Sequence, residues 1–165
     1  MKTKVNLKKV LAVVLMLTLA VGMLPMNAQA KTKGYKFKYK NVTVYMDGPA
    51  KKLIKKAGKP KSKKVAKSCI SKSGKDYTYK YKDFILYTYT KTAKGAQYIS
   101  GITFLTSKVS TKEGIHIGST FADAKKKYGS GTDNFGVRTY KKGKSRLQLE
   151  ITDDEVTNIR YSLKS

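Results

Sequence analysis

Two stretches seventy-one positions apart carry the same local grammar, and this repeat constrains the fold more than any other feature of the chain. The first is VTVYMDGPAKKLIKKAG, residues 42 to 58; the second is GIHIGSTFADAKKKYG, residues 114 to 129. In the second, Ile115 and Ile117 alternate about His116 as in a strand. Thr120 and Asp123 then form a capping-box pattern, and Gly129 follows as a stop. In the first, Val42, Val44 and Met46 alternate and Pro49 suits a first helical position. Ala50, Leu53, Ile54 and Ala57 make an apolar stripe that Gly58 ends. Ala50 aligns with Phe121, Leu53 with Ala124, Ala57 with Tyr128 and Gly58 with Gly129. Large stands against small at matching positions, as in duplicated units that pack on each other.

The segments that follow also match. After the first helix come a lysine-rich loop (59 to 75), then YTYKYKD, FILYTYT and, past a turn at Lys91 to Ala96, YISGITFLT. After the second come a shorter glycine-rich loop, GVRTYKK, RLQLEIT and, past Asp153-Asp154, EVTNIRYSL. Period-two alternation bounded by turn residues predicts three antiparallel strands in each case. The expected class is therefore α+β: two tandem strand-helix-meander units, residues 42–110 and 111–165, with helices packed on one face of an antiparallel sheet. Units of this length that share a sheet bury a joint core more easily than either does alone.

The first thirty residues combine a basic start, an apolar run from Val10 to Leu24 and the ending Ala28-Gln29-Ala30, the form of a secretory signal peptide cleaved after Ala30. No second apolar segment follows, so the exported chain is expected to be soluble, without a transmembrane segment, and secreted or cell-wall associated. Residues 31–41 form a basic N-terminal segment that reads equally as a first strand or a tail. The formal charge is +26; the leader carries four lysines and no acid, which leaves +22 without it. Such a balance repels itself and attracts polyanions, although a solvated lysine surface looks the same in sequence. Only Arg138, Arg146 and Arg160 offer a bidentate fork, so a diffuse, salt-sensitive attraction is expected.

The isoleucine-x-isoleucine-glycine start, the helix ending Lys127-Tyr128-Gly129 and the meander closing on ITDDEVTNIRYSL resemble the tandem units of the beta-lactamase inhibitory protein (BLIP-like) family and the SmpA/OmlA-like fold of small outer-membrane lipoproteins. The chain is also similar to uncharacterised secreted proteins of Gram-positive gut bacteria in which a Ser-Cys pair, here Ser68-Cys69, precedes tyrosine strands. The resemblance covers most of residues 42 to 163 and implies scaffolding or protein binding, not catalysis. In the inhibitor an aromatic sheet face and an acidic loop grip an enzyme; no residue of this chain maps onto that loop.

Candidate chemistry is sparse. His116 is the sole histidine, with no cysteine or second histidine in metal-ligand spacing, and reads as structural. Cys69 is the sole cysteine, so no internal disulfide can form. It is expected to be buried as a small hydrophobe, and KSCISKSG matches no cysteine-protease signature that would make Cys69 and His116 a nucleophile pair. Asp153 and Asp154 read as a hairpin turn, YGSGTDNFG lacks the Lys-Ser or Lys-Thr of a phosphate-cradling loop, and Asn41 is a glycosylation acceptor by form only. No metal or cofactor is expected.

Two features point to binding. Lys51, Lys52, Lys55, Lys56, Lys59, Lys61, Lys63, Lys64 and Lys67 form a run that would concentrate anionic envelope polymer, or nucleic acid without sequence preference, or else make a solvated face. Tyr77, Tyr79 and Tyr81 alternate on one strand, and Tyr87 and Tyr89 on the next. They either pack across strands beneath the helices or offer an aromatic contact surface. The expected function is a secreted, non-catalytic binding protein of the cell envelope, with a protein inhibitor of a secreted hydrolase as the alternative.

Overall fold

The computed structural model describes residues 34–164, which lie within one compact unit, Thr32–Ser165. Residues 1–33, which include the expected signal peptide, and residue 165 fall outside the described part. Ten strands and two helices follow in order: β1 (Lys36–Tyr39), β2 (Val42–Tyr45), α1 (Lys51–Ala57), β3 (Ser62–Lys67), β4 (Lys75–Lys80), β5 (Phe84–Thr90), β6 (Gln97–Phe104), α2 (Phe121–Tyr128), β7 (Thr132–Asn134), β8 (Val137–Lys142), β9 (Ser145–Thr152) and β10 (Glu155–Leu163). Among the described residues no helix is long and apolar enough to cross a membrane.

β1 and β2 make a separate hairpin, and the other eight strands form one antiparallel sheet in the order β3-β4-β5-β6-β10-β9-β8-β7. Each half is a four-strand meander. The two halves join where their last strands pair, Tyr161 opposite Ile102. Each of these two central strands carries one bulge, at Ser100 in β6 and Thr157 in β10, where the register shifts. Bulges of this kind strengthen local twist.

The two units share a detail finer than strand order. In the first, Asp47 N–H donates to the Ile99 carbonyl (2.8 Å), Ile99 N–H to Gly48 (2.9 Å) and Ala50 N–H to Gln97 (2.9 Å). In the second, Gly118 N–H donates to Val156 (2.9 Å), Val156 N–H to Ser119 (2.9 Å) and Phe121 N–H to Asp154 (2.8 Å). The same three bonds thus recur, with the helix-entry residues offset by seventy-one positions and their meander partners by fifty-seven, each set clasping the chain entering a helix to the start of the last strand of its own meander.

The fold class differs from expectation. The described residues are mostly antiparallel β, an eight-stranded and a two-stranded sheet with two short helices, and are not an α+β assembly of helices covering a sheet face. The physical reason is length: α1 has seven residues and α2 eight, and each buries one side chain, Leu53 and Ala124. Much of the cover comes from elsewhere. Phe37 on β1 stacks on Tyr161 (5.3 Å between centroids) and meets Phe104 edge-on (5.1 Å), and Tyr39 meets Phe84 edge-on (4.9 Å). Val109 and Ile115 in the connector between the units complete the core. Residues 36–39 of the basic segment are thus a strand.

Three further expectations are corrected. The segment Ile115–Ile117 is not a strand; it has no counterpart of β1 to pair with, and Thr111 N–H instead donates to the Ile115 carbonyl in a local loop. The lysine-rich loop contains β3 and the glycine-rich loop contains β7, the two outer strands of the sheet, with every residue exposed. Edge strands with both faces wet show no hydrophobic alternation to read. At Asp153 (φ 49°) and Asp154 (φ 62°) the expected tight turn forms, both residues left-handed as a two-residue hairpin loop requires.

α1 is a weak helix in isolation. Lys51 and Lys55, and Lys52 and Lys56, repel at i,i+4, and Ala50 supplies no side-chain cap. Packing of Leu53, 1 % exposed, and the clasp hold it in place. Leu53→Ala is therefore expected to lower unfolding free energy by about 2–5 kcal/mol, read from urea denaturation, while Lys55→Ala leaves it unchanged or slightly higher. Equal small effects from both would show that α1 contributes nothing to the core.

Candidate functional site

Sheet geometry decides where each candidate side chain points. The lysine run does not form one patch. Lys51, Lys52, Lys55 and Lys56 lie on α1, on the covered side of the sheet that Leu53 faces. Lys59 and Lys61 are in the loop behind it, and on β3 the pleat separates Lys63 and Lys67 from Lys64. All nine are exposed, and among the described residues none of them forms an ion pair.

The tyrosines divide in the same way. Tyr77, Tyr79 and Tyr81 stack in a row, centroids 6.1 and 6.3 Å apart, on the side facing the core, and Tyr79 and Tyr81 are buried. The Lys63 ammonium sits over Tyr77 (5.3 Å) and Tyr79 (5.6 Å). Tyr79 and Thr88 hydroxyls both donate to Gln97 Oε1, at 3.1 and 2.7 Å. Tyr87 and Tyr89 point to the opposite side of the sheet. Tyr89 is 6 % exposed and donates to Asp47 Oδ1 (2.6 Å), while Lys144 reaches Oδ2 of the same carboxylate (3.4 Å). Burial first, and then the bond to Asp47, push the Tyr89 hydroxyl up to about 12.

Away from Tyr89 that opposite side is open. Its apolar members, Ile85, Tyr87 and Tyr98, are half-buried by their neighbours in the sheet and belong to no part of the core cluster. Following the register from strand to strand, one row crosses it as Lys64, Thr78, Tyr87, Gly101, Ser162, Arg146 and Lys141. The next contains Lys80, Ile85, Thr103, Arg160, Gln148 and Thr139. The Tyr87 ring lies beside Gly101, where an added Cβ would come within 3.4 Å of it and 3.1 Å of the Tyr161 carbonyl. The Arg160 guanidinium covers the ring at 5.9 Å. Lys80, Lys141, Arg146 and Arg160 are the residues that sequence reading passed over as site candidates. The signal was present in the alternation of RLQLE and NIRYS, whose outward positions hold the arginines.

A second aromatic cluster also escaped notice. Tyr35, just before β1, and Tyr128, Tyr140 and Tyr161, from three elements separated in sequence, come together, with Tyr128 to Tyr140 at 5.3 Å and Tyr35 to Tyr128 at 6.1 Å. The Tyr128 hydroxyl donates to Glu113 Oε2. Burial raises Tyr128 and Tyr161 far above the ordinary phenol range, with Glu113 adding to both. These groups serve the core.

Cys69 is exposed, against the expectation of burial. It sits in the β3–β4 turn, where Ser68 Oγ donates to Asp76 Oδ1 (2.6 Å) and Cys69 N–H to Oδ2 (3.0 Å), so the Ser-Cys pair caps Asp76 with its polar groups and leaves the thiol outside. His116 is half-buried in a loop with Nδ1 2.9 Å from the Ile117 carbonyl. Among the described residues no group of acids, histidines and cysteines is placed to hold a metal. A groove of about 460 Å³ lies between Lys36, Lys38 and Thr43 of the hairpin and residues 110–112 of the connector. Phe135, in the β7–β8 turn at φ 50°, is fully exposed. No family model, curated protein or solved structure matches the chain.

Native protein should be labelled by a thiol reagent at Cys69 as fast as a free thiol; protection until unfolding would contradict the exposed turn. The tyrosines give a pH prediction. A hydroxyl whose folded pKa is raised stabilises fully below pH about 10, and that stability is lost as pH climbs through the folded value. The melting temperature should therefore fall from pH 10 through 12, where Tyr89 titrates, and fall less steeply in Tyr161→Phe. A single absorbance step near pH 10 for all twelve tyrosines in still-folded protein would refute this.

Proposed function

We propose that the protein is an exported, non-catalytic binding protein of the cell envelope, drawn to anionic polymers by its summed lysine charge and offering sheet surface to a partner. The observation that carries this reading is that nine exposed lysines in seventeen consecutive residues pair with no acid among the described residues. Charge left uncompensated within a fold destabilises it by self-repulsion, and a polyanion that replaces the small counterions relieves this. Spread over α1, its trailing loop and both sides of β3, the lysines favour diffuse attraction over a single shaped pocket. Localisation outside the cell rests on the signal peptide.

A second reading, a protein inhibitor of a secreted hydrolase, draws support from Phe135. A bulky residue held left-handed at a hairpin tip costs about 1–2 kcal/mol, and full exposure recovers none of it, which fits an anchor for a protein pocket.

Retention on isolated cell walls across a salt series separates the two. The polyanion reading expects steep loss with salt and strong weakening when Lys51, Lys55, Lys59 and Lys63 become Glu. Elution of both forms together at low salt would reject it. Phe135→Ala should leave wall retention unchanged.

A further inference from the structure

We infer that the open face of the eight-stranded sheet is a binding track for a phosphodiester-linked polyol chain. The inference rests on the polyanion reading above and gives it a site.

The argument begins with charge. Lys64 and Lys80 stand at one end of this face, and Arg160, Arg146 and Lys141 toward the other. The band crosses seven strands, six spacings from β3 to β8, and so runs about 30 Å at the usual strand spacing. Acids are few. Asp47 already accepts from Tyr89 and pairs with Lys144, Asp76 accepts from Ser68 and Cys69, and Glu150 forms no ion pair among the described residues. Between the charged ends the floor is hydroxyl and small: Ser162 and Thr103 flank Gly101, whose missing side chain lets the Tyr87 ring lie close over the backbone, and Thr78 stands on the far side of that ring.

The centre of the face selects among polyanions. Nucleic acid held on a sheet needs free aromatic faces for base stacking. The central ring, Tyr87, is already covered by the Arg160 guanidinium, so a stacked base would have to displace it. An acidic protein surface would want several large, freely exposed apolar anchors; here Ile85, Tyr87 and Tyr98 are each half-buried, and Tyr98 already carries the Lys91 ammonium at 5.1 Å. A polymer without bases, carrying phosphates at intervals along a hydroxylated carbon chain, places charge on the cations and hydroxyls on the threonine and serine positions. Lysines elsewhere on the molecule raise the local concentration of such a chain; this face holds it.

The test is a titration of isotope-labelled residues 31–165, the compact unit that closes its own core, with purified poly(glycerol phosphate). Amide shifts at Tyr87, Gly101, Thr103 and Arg160 are expected. Two variants of equal charge change are then compared: Lys80→Glu with Arg160→Glu on the open face, and Lys51→Glu with Lys55→Glu on α1. All four positions are exposed. The face variant should bind at least about tenfold more weakly than the helix variant, with a salt slope reduced by about 2. Shifts on α1 instead, or equal loss in both variants, overturn the track while leaving the polyanion reading intact. Failure of the wild-type chain to bind at any salt rejects the reading itself. Tighter binding of single-stranded poly(dT) at the same residues overturns the polyol assignment. Should a variant fail to fold, the wild-type shift map decides alone.

Discussion

The structure depends on the pair of clasps that fix the helix entries to the central strands. A helix of seven or eight residues rich in lysine does not stand by itself in water. Three backbone bonds in each unit bring Ala50 and Phe121 to a central strand, and that placement directs Leu53 and Ala124 into the core. The clasps also use backbone groups that would otherwise go unpaired. β10 reaches only residues 101 to 103 of β6, so the neighbouring stretch of β6 would be an open edge without Asp47 to Ala50 beside it. Glu155 stands likewise beside Thr120 at the other end of the join.

From this frame the two sides of the sheet take different fates. One receives the hairpin, the helices and the connector, and collects the large aromatic side chains. The other is met only at Tyr89, by Asp47 among the described residues, and keeps Lys64, Lys80, Lys141 and Arg160 exposed. One sequence alternation supplies both, since a strand places successive residues on opposite faces.

Legibility in the sequence follows from this. β5, β6, β8, β9 and β10 show themselves because one of their faces is apolar and the other is not, and the Asp153-Asp154 turn because two small acids tolerate left-handed backbone. β3 and β7 are hidden because both their faces are wet. The helices cover less of the sheet than their apolar stripes suggest, because a stripe reports which side is buried, not how much area it covers. Ile115 and Ile117 mimic a strand by alternation, yet a strand also needs a partner, and β1 precedes only the first unit. Cys69 shows the limit of average tendencies, since a polar contact made by its own backbone holds the turn that exposes it. The lysine run looks continuous in sequence because counting along the chain ignores the pleat, and Lys80, Lys141, Arg146 and Arg160 do not show as a group because they come from four strands.

The meeting of β6 with β10 has a consequence beyond stability. These are the same strand in each unit, and they pair antiparallel, as two copies of one unit would across an axis of symmetry. A single helix-and-meander module would end in a bare strand edge, and a second copy would close it. The chain thus has the geometry of a homodimer fused into one polypeptide, and once the link was made each half was free to diverge. The first could gain its hairpin lid and the second its arginines, a division of labour that identical subunits cannot evolve.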